Sequence, residues 1–427
     1  MAEFTIECFQ NEYLPAGGDL MHAIVTVTAV GAGPGMPASA PATDHADGRA
    51  ELIIVDTSGS MGGKKLVEAK SATAAAIDSI PDGVRFGVIS GTEAAEVVFP
   101  DRPPLPAASA KTRSEAKRTV AKLRAGGGTA IGAWIHLAAQ VFATERGIKH
   151  AILLTDGRNE SEPDEVFHRV LDLARGQFPC DCRGVGADWE VAELRTVAEA
   201  MSGTYDIVAD PSELTADFAA MLRDSMSRNL ADVHLTVWTP QGAETVYLKQ
   251  MEPLLLDLTA ARVEVAPQTG QYATGSWGDE SRDYHLCVRV PPGEIGDEVL
   301  AARVSLTVGD EVVAKVLVRA VWTEDVAMST RINRRVAEAL GETELADLIQ
   351  EGVDSHRVGD VSRATDRFGR AVQLATEAGN DEAVGRLAAL VEIEDAATGR
   401  VRPKAKVEEI DVMIAETRST RTVRKGP

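Results

Sequence analysis

The sequence is poor in the features that mark membrane, nucleic-acid-binding and disulfide-rich proteins. No apolar run approaches the roughly 20 residues that a transmembrane helix needs. The 44 basic residues are outnumbered by 65 acidic ones, and this net charge of -21 argues against nucleic acid or an anionic membrane as the main partner. Four cysteines in 427 residues are too few for a disulfide scaffold. The N-terminus lacks the basic start and apolar stretch of a signal peptide, which predicts a cytoplasmic protein.

Aromatic residues are also scarce, at 4% of the chain, whereas 44% of the residues are hydrophobic. The cores are therefore expected to consist mainly of Ala, Val, Leu and Ile. A chain of this length exceeds what one compact core usually holds, so we expect about two to four domains. Cys180 and Cys182 are expected to be small buried hydrophobes, because no further ligands for a two-cysteine metal site are evident.

Residues 50–230 alternate between strand and helix patterns. Leu52–Val55 and Ala151–Leu154 are short continuous apolar runs, typical of strands buried on both faces of a parallel sheet. The helical patterns between and after them cover residues 64–80, 111–123, 131–146, 163–175, 191–201 and 212–229. This alternation predicts a doubly wound, Rossmann-like α/β domain.

The segments on either side of this domain have strand patterns. Residues 1–30 predict two strands, and residues 31–49, dense in Gly, Ala and Pro, predict a linker. Residues 231–323 alternate apolar and polar positions between turn signals, which is typical of an antiparallel β-sandwich. Because the N-terminal strands have no partners of their own, we expect them to join that sandwich, with the α/β domain inserted into it.

The C-terminal third changes character twice. Residues 327–398 predict a small helical bundle, in which Leu345, Leu348, Ile349 and Val353 share one helical stripe. Residues 399–427 carry more basic than acidic residues and predict a partly disordered tail. The tail threonines Thr417, Thr420 and Thr422 lie among arginines, so phosphorylation is one interpretation, but an unmodified solvated tail is the one that we favour.

Three separated segments carry oxygen-bearing side chains beside predicted strand or helix ends. Residues 56–60 and 155–157 each follow a buried strand, and residues 126–129 precede a helix. The loops at the carboxyl ends of strands form the binding crevice of a doubly wound sheet, so the first two segments are expected to meet. Carboxylate and hydroxyl oxygens favour Mg²⁺, Mn²⁺ or Ca²⁺ over zinc. The candidate metal ligands are Asp56, Ser58, Ser60, Thr129 and Asp156.

These five residues together resemble the metal-ion-dependent adhesion site of von Willebrand factor type A (VWA) domains, over residues 51 to about 230. The resemblance implies direct metal contacts for Ser58 and Ser60, and a direct or water-mediated contact for Thr129. It implies that Asp56 and Asp156 act mainly through bridging waters. The composition, rich in Ala, Val, Arg and Gly with few Lys, resembles that of actinomycete proteins, so we expect a bacterial intracellular member.

Three functions are compatible with such a site. The leading interpretation is a metal-dependent protein-interaction module, in which the ion bridges to an Asp or Glu of a protein partner. The alternative is a subunit of a larger AAA+ or chelatase-like machine. A metal-dependent enzyme is the third, and it ranks last because no motif places a His, Lys or further carboxylate beside the metal. The chain also lacks a P-loop, so we do not expect a P-loop ATPase. Because no catalytic group is placed by motif beside the metal, we expect no enzyme.

Overall fold

The computed structural model describes residues 3–31, 48–187, 189–228, 230 and 232–422. The chain divides into two compact units. The α/β unit contains residues 30–233 and 273–279, and the β/α unit contains residues 4–29, 234–272 and the chain from 280 onward. Most of the predicted linker, residues 32–47, lies outside the described residues. No helix in the described part of the chain is both long and apolar enough to cross a bilayer.

The chain begins with three strands of the β/α unit and then enters the α/β unit. The first three strands are β1 (Glu3–Gln10), β2 (Tyr13–Pro15) and β3 (Leu20–Val30). The elements that follow are β4 (Arg49–Asp56), α1 (Lys64–Ser79), β5 (Arg85–Gly91), β6 (Ala95–Phe99), α2 (Ala110–Val120), α3 (Ile131–Ala143), β7 (Ile148–Thr155), α4 (Asp164–Ala174), β8 (Cys180–Val185), α5 (Val191–Ala200), β9 (Tyr205–Val208) and α6 (Leu214–Ser227).

The α/β unit is built on a six-stranded sheet of order β6-β5-β4-β7-β8-β9. All neighbours are parallel except β5 and β6. Strand β4, first in the unit, lies at the centre between β5 and β7, so the strand order reverses there. The predicted doubly wound α/β fold is confirmed, and its topological switch point lies between β4 and β7.

The two central strands are buried on both faces, as their apolar runs predict. Ile53 and Val55 of β4 pack in one cluster with Ala69 of α1 and Phe218 of α6. Every residue of β4 after Arg49 is buried. Complete burial of one such aliphatic side chain stabilises the fold by about 1.5–3 kcal/mol. The position of the sheet, and hence of the loops at its ends, is therefore fixed by the sequence of β4 and β7.

A buried group of charges lies at the amino end of this sheet. His150 of β7 is only 3% exposed, and its Nδ1 and Nε2 lie 2.8 Å from Glu51 Oε2 and 3.0 Å from Asp181 Oδ2. Arg49 Nε donates to Glu51 Oε1 at 3.3 Å. Burial alone lowers the pKa of His150, but the two carboxylates outweigh it and raise that pKa to about 9. The imidazolium is therefore a structural charge at neutral pH.

The remaining strands of the β/α unit form two sheets. They are β10 (Val233–Trp238), β11 (Glu244–Glu252), β12 (Leu256–Asp257), β13 (Val263–Ala266), β14 (Thr269–Ala273), β15 (Glu280–Arg289), β16 (Glu298–Val308) and β17 (Glu311–Thr323). The sheet orders are β1-β3-β15-β11-β12 and β13-β14-β10-β16-β17-β2. Strand β3 pairs antiparallel with β15, from Leu20 opposite Arg289 to Ala29 opposite Glu280. Strands at the start of the chain thus pair with strands that follow the α/β unit.

Helices make up most of the rest of the chain. The elements are α7 (Val326–Ser329), α8 (Arg334–Arg357), α9 (Val361–Ala378), α10 (Asp381–Leu390), β18 (Val391–Asp395), β19 (Arg400–Pro403) and α11 (Glu409–Thr417). The stripe Leu345, Leu348, Ile349 and Val353 of α8 packs into one core with Phe368 of α9. Asp360 caps α9 by accepting from Arg363 N at 3.0 Å, and Gly379 ends it at φ +67°.

The prediction of a partly disordered tail is wrong for residues 399–422. They form β19 and α11, and the apolar face of α11 buries Val412, Met413 and Ala415, each 1% exposed. The charge excess of the tail concealed this short amphipathic helix, in which Glu409 and Asp411 are the more exposed charges and Glu416 is buried in an ion pair with Arg357. Thr417 is itself 1% exposed, so a kinase could reach it only after α11 had left the core. Residues 423–427 lie outside the described residues.

The other two tail threonines are half-buried and bonded to the backbone. Thr420 Oγ1 donates to the Thr417 carbonyl at 3.4 Å, and Thr422 Oγ1 donates to the Met251 carbonyl at 2.6 Å. Arg421 forms a bridge with Leu254 beside them. These contacts place residues 418–422 along β11 and the loop that follows it, and the hydroxyls of Thr420 and Thr422, for which phosphorylation was the less favoured interpretation, bond to the backbone.

Candidate metal site

The predicted metal ligands come together at the carboxyl ends of β4 and β7. Val55 and Leu154 are register partners, so the residues that follow them, Asp56 and Thr155, end neighbouring parallel strands. Asp156 comes directly after β7. Because this edge is also the switch point, the two strand-end loops separate and leave a crevice between them.

Asp56 is the most completely held of the five residues. Its carboxylate is fully buried, and Oδ1 accepts a hydrogen bond from Ser58 N at 2.7 Å. Oδ2 accepts from Thr155 Oγ1 at 2.5 Å. Burial raises the pKa of Asp56, while these hydrogen bonds act in the opposite direction. Asp56 is thus a desolvated carboxylate whose orientation is set by two donors.

A chain of oxygen atoms connects the two loops. Ser58 Oγ lies 2.9 Å from Ser60 Oγ, and Ser60 Oγ donates to Asp156 Oδ1 at 2.7 Å. Ser58 and Asp156 are buried, whereas Ser60 is exposed. The site therefore has a closed floor and one side open to solvent.

Thr129 belongs to the same group of oxygens. A Cβ atom placed on Gly157 would lie 2.9 Å from Thr129 Oγ1, 3.3 Å from Ser60 Oγ and 3.6 Å from Asp56 Oδ2. The space beside Gly157 is thus bordered by oxygens from all three sequence segments. Only a residue without a side chain leaves that space open.

Backbone contacts hold the Thr129 loop against the Asp56 loop. Gly59 N donates to the Gly127 carbonyl and Gly126 N donates to the Thr57 carbonyl, each at 2.9 Å. Gly127 has φ +81°, a conformation that glycine adopts without strain. Thr129 N donates to Ser161 Oγ at 3.0 Å. The pairing of these loops explains how residues 70 positions apart present their hydroxyls to one point.

The oxygen set fits a small divalent cation. Magnesium takes octahedral oxygen ligands at about 2.0–2.1 Å, so neighbouring ligands lie about 2.9 Å apart. The distances of 2.9 Å between Ser58 and Ser60 Oγ and 2.7 Å from Ser60 Oγ to Asp156 Oδ1 are close to that value. In the described part of the chain no three His, Cys, Asp or Glu residues cluster as metal ligands, which agrees with a site whose donors are mainly hydroxyls.

Lys65 is a neighbour that the sequence analysis missed. Its ammonium lies 2.5 Å from Asp156 Oδ2, and its side chain is 24% exposed. No motif in the sequence placed a lysine beside the metal site, but the fold brings one there. Lys65 occupies the first turn of α1, which carries it back toward the end of β7, but no motif marks this role. Thr155, the donor to Asp56, was missed as well, although it directly precedes Asp156.

The buried residues Cys180, Cys182 and His150 lie away from these oxygens. Cys180 and Cys182 are buried with their sulfurs 4.0 Å apart, as expected of small core residues. His150 lies at the opposite end of β7. The cleft next to the oxygens is lined by Gly59, Gly127, Gly128, Arg158, Glu160, Ser161 and Ala187.

Comparisons with known proteins agree with this geometry. A family model described as von Willebrand factor type A domain matches residues 51–207, and one described as von Willebrand factor type A C-terminal domain matches residues 373–419. The second match includes α11, which we had predicted to be part of a disordered tail. An uncharacterized protein of Synechocystis is 28% identical over 230 residues, or 52% of this chain, and the chain spans about half (53%) of that protein.

Solved structures resemble the whole chain. A structure described as von Willebrand factor type A from Catenulispora acidiphila is 45% identical, with a TM-score of 0.92 over 99% of this chain and 97% of that one. The ArnB paralog VWA2 from Sulfolobus acidocaldarius shares the fold at 15% identity, with a TM-score of 0.60 over 98% of both chains. VWA domains are generally protein-interaction modules and often bind a divalent metal. The chain belongs to the von Willebrand factor type A family.

Proposed function

We propose that this protein is a metal-dependent protein-interaction module, in which a divalent cation bridges Ser58, Ser60 and Thr129 to a carboxylate of a partner protein. The observation that carries the proposal is the convergence of hydroxyls and carboxylates from three loops at the switch point of the sheet. Asp56 and Asp156 would support the ion, directly or through water. The ion would supply a Lewis-acidic centre for the partner's oxygen.

Magnesium is the ion that we propose. Its donors here are hard oxygens, most of them uncharged, and the Ser58–Ser60 and Ser60–Asp156 spacings are those of a small octahedral ion. Calcium takes longer bonds, of about 2.3–2.6 Å, and would spread the same oxygens further apart. Manganese shares the preference for oxygen ligands and is the closest substitute.

The charge of the site favours an anionic partner group. Two buried carboxylates face the oxygens, and Lys65 offsets one of them through its ion pair with Asp156. The charge of a divalent ion is therefore not cancelled by the protein alone. A carboxylate from outside supplies both the missing charge and an oxygen ligand, and it would enter on the side of the exposed Ser60.

We propose binding, and not catalysis, as the role of the cleft. Among its described lining residues there is no histidine or cysteine to act as a general base or nucleophile. The Ser58 and Ser60 hydroxyls hydrogen-bond each other, and Ser60 also donates to Asp156, a geometry suited to holding an ion. Arg158, Glu160 and Ser161 at the cleft would contact the partner around its carboxylate.

We further infer that the α/β unit is inserted into a β-sandwich. The inference is supported by β3, which precedes the α/β unit and pairs along its length with β15, which follows it. It is also supported by the parallel pairing of β2 with β17, from Tyr13 opposite Val321 to Pro15 opposite Thr323. An interaction module inserted in this way has both of its chain ends tethered to one supporting unit.

Affinity capture from the native cell tests the proposed function. The wild-type chain, Asp56→Ala and the control Asp78→Ala, which alters an exposed aspartate of α1, would each be used as bait with Mg²⁺ or with EDTA. We expect a protein captured by wild type and Asp78→Ala in Mg²⁺ to be lost in EDTA and with Asp56→Ala. Capture of the same proteins under all conditions would exclude the metal bridge.

A further inference from the structure

Two histidines and a tyrosine converge on the five-stranded sheet of the β/α unit. His22 lies on β3, His285 on β15 and Tyr247 on β11, three adjacent strands. Cys287 is the register partner of both His22 and Tyr247, and His285 lies two residues before it. Because side chains two residues apart on a strand share a face, the register brings all four to one face of the sheet.

The polar atoms of the two histidines and the tyrosine form a nearly equilateral triangle. His22 Nδ1 lies 3.2 Å from His285 Nε2, and Tyr247 Oη lies 3.3 Å from each of these nitrogens. A tetrahedral ion with Zn–N bonds of about 2.0–2.1 Å keeps neighbouring ligand atoms about 3.3 Å apart. The triangle therefore has the dimensions of one face of a zinc tetrahedron.

Hydrogen bonds cannot satisfy all three sides of this triangle. The Tyr247 hydroxyl has one proton, and a contact between two imidazole nitrogens needs a proton on one and a lone pair on the other. Two protons at most are then available for three contacts, so one side places two atoms together without a hydrogen bond. A cation at the open face of the triangle would accept a lone pair from each of the three atoms.

Burial disfavours the charged form of both imidazoles, because His285 is almost fully buried and His22 is half-buried. Metal binding requires neutral imidazoles. His285 Nδ1 is buried without a hydrogen-bond partner, so no contact at that nitrogen fixes the tautomer of the ring. With the proton on Nδ1, the Nε2 lone pair points into the triangle and can bind a ligand.

The cluster is accessible from one side. His285 and Cys287 are each 1% exposed, whereas His22 and Tyr247 are half-buried. Lys249 places its ammonium 5.3 Å from the centre of the Tyr247 ring and opposes a cation, which limits the affinity of the site.

We propose that His22 Nδ1, His285 Nε2 and Tyr247 Oη bind a divalent transition-metal ion of the zinc, nickel and copper class, with water as a further ligand. Imidazole nitrogen selects these ions over magnesium, so this site differs in metal class from the oxygen site of the α/β unit. The third ligand is a tyrosine, and this agrees with the finding that no three His, Cys, Asp or Glu side chains cluster within the residues described.

Zinc titration in an Asp56→Ala background tests the site, because that change removes the proposed magnesium site as a competing acceptor. Calorimetry on the EDTA-treated and desalted chain would measure stoichiometry and affinity for Zn²⁺ alone. We expect one Zn²⁺ to bind, and we expect His22→Gln and His285→Gln to weaken binding at least about tenfold, since even loss of an outer partner of a ligand costs that much. Tyr247→Phe is expected to weaken it as well.

His136→Gln is the matched control, because His136 is an exposed histidine of α3 whose ring nitrogen lies within hydrogen-bond distance of Gln140. It should leave zinc affinity unchanged. His22 is half-buried, so His22→Gln should have the same unfolding midpoint in EDTA as the parent chain. If His285→Gln does not fold, His22→Gln is the variant that tests the proposal. No zinc uptake by the parent chain, or equal uptake by folded His22→Gln, would overturn the proposal.

Discussion

The two ends of the central sheet both bury carboxylates, but they balance them differently. At the amino end, His150 lies between Glu51 and Asp181, and Arg49 adds a second cation to Glu51. At the carboxyl end, Asp56 accepts hydrogen bonds only from neutral groups, Ser58 N and Thr155 Oγ1, and Lys65 is the cation on Asp156.

This difference separates structural charge from functional charge. A carboxylate whose counter-ion is a buried side chain of the same fold is already neutralised, and removal of either partner leaves an uncompensated buried charge. A buried carboxylate that accepts hydrogen bonds mainly from neutral groups still carries an uncompensated negative charge. An added cation can neutralise that charge. Both groups of carboxylates include residues at the ends of β4 and β7. The same two apolar strands therefore carry a charge-balanced amino end and, at their carboxyl end, the proposed metal site, called the binding end below.

The largest expected effect comes from removing the buried cation, His150, at the amino end of the sheet. In His150→Ala the buried Glu51 and Asp181 lose the cation between them, and loss of one member of a buried ion pair costs about 3–5 kcal/mol. Urea denaturation should show this loss in the free energy of unfolding. Magnesium affinity of the folded fraction should stay at the wild-type value, and a parallel loss of magnesium binding would show that the two ends are not independent.

The pH dependence of the free energy of unfolding tests whether His150 is charged in the folded protein. The pKa of His150 rises from 6.5 to about 9 on folding, so its contribution is fully present below pH 6.5 and is lost as the pH rises through 9. This shift corresponds to roughly 3 kcal/mol. We expect the difference in unfolding free energy between wild type and His150→Gln to shrink over that range. A difference that stays constant with pH would contradict a charged His150.

A methyl group at the carboxyl end tests the shape of the binding end. In Gly157→Ala the new Cβ would lie 2.9 Å from Thr129 Oγ1 and close to Ser60 Oγ, so the oxygens must separate. We expect magnesium affinity to fall about tenfold to hundredfold, the range seen when supporting groups of a metal site are displaced. Gly126→Ala, whose Cβ would meet nothing within 4 Å, is the matched control and should bind as wild type does.

The smallest expected effect is that of replacing Lys65, the cation that pairs with Asp156 at the binding end. Lys65→Met removes a positive charge that repels the ion and pairs with Asp156. Coulomb energies at this range predict a magnesium affinity about tenfold higher than in wild type. Lys64→Met, at the neighbouring exposed position, should have little effect in the same calorimetric titration. Weaker magnesium binding by Lys65→Met would show that Lys65 supports the site instead of opposing the ion.

The sequence predicted the parts of the molecule that depend on local pattern. Leu52–Val55 and Ala151–Leu154 are apolar without interruption, so the buried strands and the loops after them could be located. The motif around Asp56, with Thr129 and Asp156, then indicated which loops meet. The helical stripe from Leu345 to Val353 was equally visible, because it repeats with the period of the helix.

The missed features depend on tertiary contacts. Lys65 reaches Asp156 because the first turn of α1 lies at the edge of the sheet where β7 ends, and no spacing in the sequence shows that approach. His22, Tyr247 and His285 are brought together by strand pairing across more than 200 residues. In the tail, the excess of Arg and Lys concealed Val412, Met413 and Ala415, whose burial becomes favourable only when the core of the helical region is present.

Calorimetric titration of Mg²⁺ into the EDTA-treated and desalted chain measures the central claim directly, with Asp56→Ala and the exposed control Asp78→Ala beside wild type. Uptake of one Mg²⁺ by wild type and Asp78→Ala, and none by a folded Asp56→Ala, is the predicted result. Wild-type protein that is folded and takes up no magnesium or manganese, or an Asp56→Ala variant that binds magnesium as wild type does, would contradict the account.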